Sequence, residues 1–564
     1  MGLFFVPGRK APHPRHFFIG ETIAARSDAM TFDWNNPYPT VRSPVFARNV
    51  VSTSHPLASQ AGLRMLTQGG NAIDAAIAAA AALTIVEPVS NGLGSDLFAI
   101  LWDGERLHGL NASGVAPAAW DPAYFARRHG GQIPLRGWDT VTTPGAVAGW
   151  VALSKRCGRL PFADLLAPAI ELAERGHGVA CIVADKWTRQ VPLLASQPGF
   201  AEAFMPRGRA PLPGERFVFE AAGRTLRAIA ESGGESFYRG EIAARLVAHA
   251  ADNGGSMSAR DLADYVPEWV DPIAMAFAGH TVHQIPPNGQ GIAALMALGM
   301  LERLDVARFP VDSVEAQHLQ IEAMKLAFAD TYRWVADSRA MTGVSASDLL
   351  SDAYLRERAR LIAPGRAQDF AHGAPPSGGT VYLTAADEGG RMVSLIQSNY
   401  MGFGSGVVVP GTGVSLQNRG QGFTLDAAHP NVVAGGKRPF HTIIPGFLCD
   451  ADGRPRMSFG VMGGNMQPQG HVQTLTRLLR HGQQPQAACD APRWKVATGR
   501  SVDFEHTMAP DLVAGLRALG HQAEATQDPY MDFGSGQFIW RLGDADDGYV
   551  AASDSRRDGQ AVGF

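Results

Sequence analysis

The sequence predicts an α+β protein, and three observations along its 564 residues point that way. From Leu57 to about residue 365, apolar positions recur at helical spacing, in segments closed by glycine or proline. Residues 364–379 (PGRAQDFAHGAPPSGG) then interrupt the pattern with a Pro/Gly/Ser-containing stretch that holds neither helix nor strand and reads as a linker. Beyond it, short β-type runs alternate with two helical ones.

Residues 1–45 are rich in Pro, Arg and aromatics without periodicity, and are expected to form an extended arm on the body. Leu57–Thr67, stopped by Gly69-Gly70, and Ala72–Val86, closed by Pro88, read as helices. The second is apolar nearly all round and should lie between layers. Further helices are expected at Gly145–Ser154, Phe162–Glu174, Glu241–Ala251, Gly291–Leu304 and Ser313–Val335, the last with Asp312 and Glu315 as a capping box. After the linker, Thr380–Ala386 and Arg391–Ser398 read as a hairpin about Asp387-Glu388-Gly389-Gly390. Strands are expected at Val414–Leu416, Thr442–Leu448, Met457–Val461, Phe538–Trp540 and Tyr549–Ala552, with helices near Val472–Arg480 and Ala509–Leu519.

Composition removes several function classes. Only 18% of residues are charged and the formal net charge is −4, so no basic footprint for nucleic acid exists. The longest apolar run, Ala72–Pro88, is Ala-rich and carries Asp74 and Glu87, which excludes a membrane span. The apolar patch of the first residues is broken at Pro7 before a signal-peptide core forms, and Val6 stands where a myristoylation signal wants Ser or Thr; a cytoplasmic protein is expected. Cys157, Cys181, Cys449 and Cys489 are too scattered for a disulfide framework or a zinc site, and the 17 histidines show no metal-ligand spacing. The surplus of Gly 64 and Pro 37 calls for an explanation in backbone geometry.

No G-x-S-x-G elbow, P-loop or HExxH occurs, and the glycine clusters Gly402–Gly406 and Gly463-Gly464 are each compatible with ordinary turns. The informative junction is Gly378-Gly379-Thr380, where a linker ending in two glycines delivers a Thr to the start of a strand. Cleavage of the Gly379–Thr380 peptide would give Thr380 both a hydroxyl nucleophile and a free α-amine. The amine's ordinary pKa of about 7.7–8.0 suits it to act as general base for that hydroxyl. The plain alternative is a strand threonine, for which Thr is well suited.

Six stretches in order, GGNAIDAAIAAAAALTIVEPVSNGLGSDLFAILWDG (69–104), TPGAVAGW (143–150), TVYLTAAD (380–387), FGSG (403–406), KRPFHTIIP (437–445) and MGGNMQPQ (462–469), resemble the γ-glutamyltransferase family of N-terminal-nucleophile hydrolases. The resemblance runs from about residue 50 to the C-terminus. It implies a four-layer αββα sandwich, a large subunit (46–379) and a small subunit (380–564) cut from one precursor, and no metal or organic cofactor. A homodimer of such heterodimers is compatible with it. It also implies Thr380 as nucleophile, Gly463 and Gly464 as the oxyanion-hole backbone, and Ser398 as the hydroxyl supporting Thr380 and autocleavage. Glycines there allow close backbone approach to a developing oxyanion.

The substrate pocket departs from the family. Standard members hold a glutamate α-carboxylate with an Arg and two adjacent Ser, and its ammonium with Asn, Gln and Asp. The matching positions here are Ser113 for the Arg, His441 and Thr442 for the serines, Tyr400 for the Asn, Arg419 for the Gln and Gly422 for the Asp. A one-residue slip would put Asn399 in the amide role. Losing the Asp while gaining Arg419 disfavours a γ-glutamyl ammonium. QNRG (417–420) and PFHT (439–442) resemble the divergent amidohydrolase branch, which includes oxamate amidohydrolase and similar acylases. The expected activity is therefore hydrolysis of a small amide whose carboxylate or carbonyl meets Arg419, helped by His441. The alternatives are a solvated Arg419 with a structural His441, a true γ-glutamyltransferase or glutathione hydrolase, and a non-catalytic binding protein on the same fold.

Overall fold

The computed structural model describes residues 32–370, 379–526 and 533–564. Most of the expected arm (1–31) and half of the expected linker (371–378) lie outside the described residues; positions 364–370 contain no helix or strand.

Two seven-stranded sheets, antiparallel between neighbours throughout, pack face to face. The first runs Gln560–Gly563, Val50–Thr53, Gly379–Ala386, Met392–Tyr400, Asp96–Trp102, Leu107–Ala112, Glu268–Val270. The second runs Val45–Ala47, Tyr549–Ser553, Ser535–Arg541, Pro455–Met462, Gly446–Cys449, His280–Gln284, Ile273–Phe277. Helices cover both outer faces. On the first sheet lie Pro56–Thr67, Ala72–Val86 and Ala146–Cys157; on the second lie Gly291–Leu301 and Met466–His481, with Val314–Trp334 packed on the former. The result is a four-layer αββα sandwich.

Side-chain alternation explains the layering, because successive strand residues face opposite sides. Val381, Leu383 and Ala385 join the core beneath the helices, together with Leu97, Ala99 and Leu101. Tyr382, Ala386, Phe98, Ile100 and Ile396 fill the space between the sheets, against Phe447, Met462 and Ile539 of the second sheet. Ala72–Val86 has every residue buried, as its all-round apolar sequence requires. Its N-terminus is fixed by a capping box of Asn71 and Asp74.

The helix and strand expectations agree with the structure to within about four residues at the ends, except that the helix expected from Val472 begins at Met466, and two corrections follow. The first 365 residues are not simply helical, since Val50–Thr53, Asp96–Trp102 and Leu107–Ala112 form the flanks of the strand pair that follows the linker. Buried on both faces, such strands lose the polar alternation that marks a half-exposed one. The capping box at Asp312 is absent: Ser313 caps the helix by accepting from Ala316 N–H, while Asp312 binds Arg477 at 2.7 Å and the Tyr38 hydroxyl at 2.7 Å. Tyr38 belongs to a stretch, 34–44, without helix or strand; Arg42 in the same stretch donates to Ser553 and to the carbonyls of Asp554 and Arg557.

Candidate active site

Alternation along three adjacent strands brings Thr380, Ser398 and Asp96 to one end of the first sheet, on the side facing the second. Gly379 pairs with Tyr400 and Val381 with Gln397, so a bulge sets Thr380 against two residues, Ser398 and Asn399. Ser398 in turn lies opposite Asp96. Thr380 is buried, and its Oγ1 donates to Ser398 Oγ at 3.2 Å; the same Ser398 oxygen accepts the Tyr400 N–H at 2.8 Å. Tyr400 has φ +77°, a left-handed conformation that costs a bulky residue energy and that the surrounding contacts must hold in place.

On the second sheet, the Pro455–Met462 strand ends at the same place. Gly463 (φ +121°) and Gly464 (φ +61°) then turn the chain into the Met466–His481 helix. A Cβ on Gly463 would lie 2.9 Å from Gly534 Cα, so this turn needs glycine. Among the described residues, neither the Gly463 nor the Gly464 N–H has a hydrogen-bond acceptor. In the helix's first turn Gln467, fully buried, directs its amide toward Thr380 Oγ1 at 3.5 Å.

Arg419 closes the site from another loop. It is 1% exposed, its guanidinium lies 4.7 Å from the centre of the Tyr400 ring, and Nη1 donates to Thr442 Oγ1 at 2.8 Å. Among the described residues, its Nε and Nη2 have no hydrogen-bond partner. Burial pulls this guanidinium down to about 10, partly opposed by the carboxylate of Asp96. Gln290 links the remaining pieces by donating from Nε2 to the carbonyls of Thr442 (2.7 Å) and Gly464 (3.0 Å). A closed circuit of contacts thus runs from Thr380 through Ser398, Tyr400, Arg419, Thr442, Gln290, Gly464 and Gln467 back to Thr380.

Several expected pocket residues face elsewhere. Asn399 is held by Ser95 Oγ at 2.8 Å and Ser415 Oγ at 3.3 Å, leaving Tyr400 as the residue beside Arg419. Ser113 Oγ donates to Asn111 and accepts from Asn288, and its carbonyl accepts from Arg438. His441 is fully buried: Nδ1 accepts the Ile443 N–H, which puts the proton on Nε2, 3.0 Å from Asp96 Oδ2. Burial, with Arg419 and Arg438 nearby, holds this imidazole well below its usual range and therefore neutral. So the structural reading suits His441, whereas Arg419 is no solvated turn residue. Gly422 has no room for a side chain, because a Cβ would meet Phe440 O at 2.5 Å. Burial pushes Asp96 up to about 7, and its two oxygens are engaged by Gly114 N–H and His441.

Gln467, Gln290 and Asp96 escaped sequence reasoning about the site. Gln467 and Asp96 lie inside matched motifs, but no spacing rule assigns a role to an isolated amide or carboxylate. Away from this site, His318, Glu322 and His521 form a buried group of metal-ligand type that sequence spacing does not reveal. Lys325 Nζ already supplies a cation there, 2.8 Å from Glu322 and 3.4 Å from His521.

A four-layer αββα sandwich of two antiparallel sheets, with Thr380 near the start of a central strand and the Gly463-Gly464 turn at the same end, has the architecture of the N-terminal-nucleophile hydrolases. Residues 58–564 match the family model described as gamma-glutamyltranspeptidase, and the chain belongs to that family. It is 36% identical to the glutathione hydrolase-like YwrD proenzyme of Bacillus subtilis, over 93% of this chain and 100% of that one. It is 37% identical to the oxamate amidohydrolase proenzyme of Klebsiella pneumoniae, over 93% and 99% of the two chains. Cephalosporin acylase from Bacillus halodurans has a similar structure, with a TM-score of 0.89 and 47% identity over 94% of this chain and 98% of that one.

Proposed function

We propose that the chain is a proenzyme that cleaves itself between Gly379 and Thr380, and that the new N-terminal threonine hydrolyses a small amide through an acyl-enzyme. The observation that carries this reading is Thr380 Oγ1 itself, bonded to Ser398 and Gln467 at the end of the sandwich where Gly463 and Gly464 turn. In the processed enzyme the α-amine takes the hydroxyl proton and Oγ1 attacks the amide carbon. The carbonyl's electron pair moves to the oxygen, which Gly463 and Gly464 N–H groups receive. Collapse of this intermediate expels the amine, protonated by the Thr380 ammonium, and water or an acceptor amine then takes the acyl group. The names of the relatives as proenzymes, hydrolases and acylases support both halves of the reading.

Arg419 supplies the specificity. A fully buried cation with two donor nitrogens unpartnered among the described residues suits a substrate carboxylate. Among the described residues, the two positions that could offer a carboxylate to an ammonium do not: Asp96 is engaged and Gly422 has no room for one. The substrate is therefore an amide whose acyl part bears a carboxylate and no ammonium group, rather than a γ-glutamyl compound. Four free cysteines support a reducing, cytoplasmic setting. No helix among the described residues is long and apolar enough to cross a membrane.

Intact mass of the purified protein tests the mechanism: two fragments divided before Thr380 are expected, and Thr380→Ala should remain one chain without activity. An uncut wild-type chain after prolonged incubation would remove the reading. Comparing turnover of a γ-glutamyl anilide with that of oxamate and succinamate tests the pocket; preference for the anilide would overturn the role given to Arg419.

A further inference from the structure

We infer that Gln467 is a catalytic residue, whose side-chain amide stabilises negative charge on Thr380 Oγ1; the inference rests on Thr380 being the nucleophile. The orientation of the amide is determined by its partners. Gln467 Oε1 accepts the Ile444 N–H at 2.9 Å, so Nε2 is the atom that faces Thr380 Oγ1 at 3.5 Å. The opposite flip would set an NH2 group against the Ile444 N–H and an oxygen against Thr380. Both ends of the side chain are thus fixed by neighbours, and the residue is fully buried at the start of the helix that follows Gly463-Gly464.

The hydrogen bonding at Oγ1 makes the role specific. Its proton points to Ser398 Oγ, and one of its lone pairs faces the Gln467 amide. When the α-amine removes the proton, the electron pair left on Oγ1 forms the bond to the substrate carbon. In deacylation the α-amine takes a proton from the attacking water, the C–Oγ1 bond breaks as the pair returns to Oγ1, and the ammonium so formed protonates that oxygen. Charge develops on Oγ1 in both steps, and the Gln467 N–H is the donor next to it. A contact of 3.5 Å in the resting state is long, and such contacts tighten as charge develops. The oxyanion-hole glycines serve the carbonyl oxygen, so Gln467 acts on a different atom of the same transition state.

Two variants test this. Gln467→Glu retains an acceptor for Ile444 N–H but, once ionised, has no donor for Oγ1; Gln467→Met is close in size and removes both. Each is measured for rate of self-cleavage, kcat and KM on a carboxylated amide at pH 8–9, and melting temperature. Expected are a kcat 10- to 1000-fold lower with KM within about threefold, and slowed self-cleavage, in protein that melts near the wild type. For Gln467→Glu, activity relative to the wild type at the same pH should recover toward lower pH as the carboxyl gains a proton and becomes a donor again, a response that a merely structural role would not produce. Either variant, folded and with kcat within twofold of the wild type, overturns the inference. Thr380→Ala run alongside separates the two readings, because activity surviving in that variant would remove the nucleophile itself.

Discussion

Arg419 combines full burial, two donor nitrogens unpartnered among the described residues and a guanidinium lying over the Tyr400 ring. Desolvating a charge without pairing it is costly, and under the proposed role that cost is offset only when a substrate carboxylate binds. Arg419→Met should therefore act in opposite directions: a higher melting temperature without substrate, and a KM for a carboxylated amide raised by about 100-fold or more. Thermal denaturation and steady-state kinetics on one preparation check both. Asp96 gives a second prediction. Its carboxyl is pushed up to about 7, against about 3.9 in an unfolded chain. Between those values the folded state holds a proton that the unfolded state lacks. Its contribution to stability is complete below about pH 4 and is lost as pH rises through 7. His441, held neutral, works the other way, losing stability as pH falls below about 6.5. Urea unfolding at pH 5 and 7.5 should show the wild type losing roughly 2 kcal/mol relative to Asp96→Asn over that interval.

Among the elements, the Ala72–Val86 helix was legible to the residue, because an apolar pattern on all sides bounded by Asn71 and Pro88 leaves little choice. Its cap reaches further than the motif implies. Asp74 accepts N–H groups of Asn71, Arg159 and Leu160, tying the helix start to the loop before the Phe162–Arg175 helix. Asp74→Ala leaves three donors without that acceptor and should cost about 2–4 kcal/mol in urea unfolding. The hairpin at Asp387–Gly390 was legible for similar reasons. The strands Asp96–Trp102 and Leu107–Ala112 were not, since a strand covered on both faces looks like any short apolar run.

For the molecule as a whole, sheet order has a consequence for the proposed cleavage. The strand that contains the proposed scissile bond at its first residue, Gly379–Ala386, and the strand after it, Met392–Tyr400, lie between Val50–Thr53 and Asp96–Trp102 from before that bond. The second sheet mixes the two parts of the chain in the same way, with Val45–Ala47 at one edge and His280–Gln284 and Ile273–Phe277 at the other. Cutting one peptide bond removes none of these ladders. The two fragments should therefore elute together in gel filtration and separate only in denaturant; separation under native conditions would contradict the interleaving.

By itself the sequence determined the α+β class, the hairpin that begins at Thr380 and the family. These depend on local propensity and on motifs contiguous in the chain. Only the tertiary structure decided which groups meet Thr380, that His441 and Asn399 turn to internal partners, and that Arg419 is left with two donor nitrogens unpartnered among the described residues. Such facts depend on which way a side chain faces and on what other segments have already engaged. Distances across strands, helices and loops hundreds of residues apart set both, and no spacing along the chain encodes them.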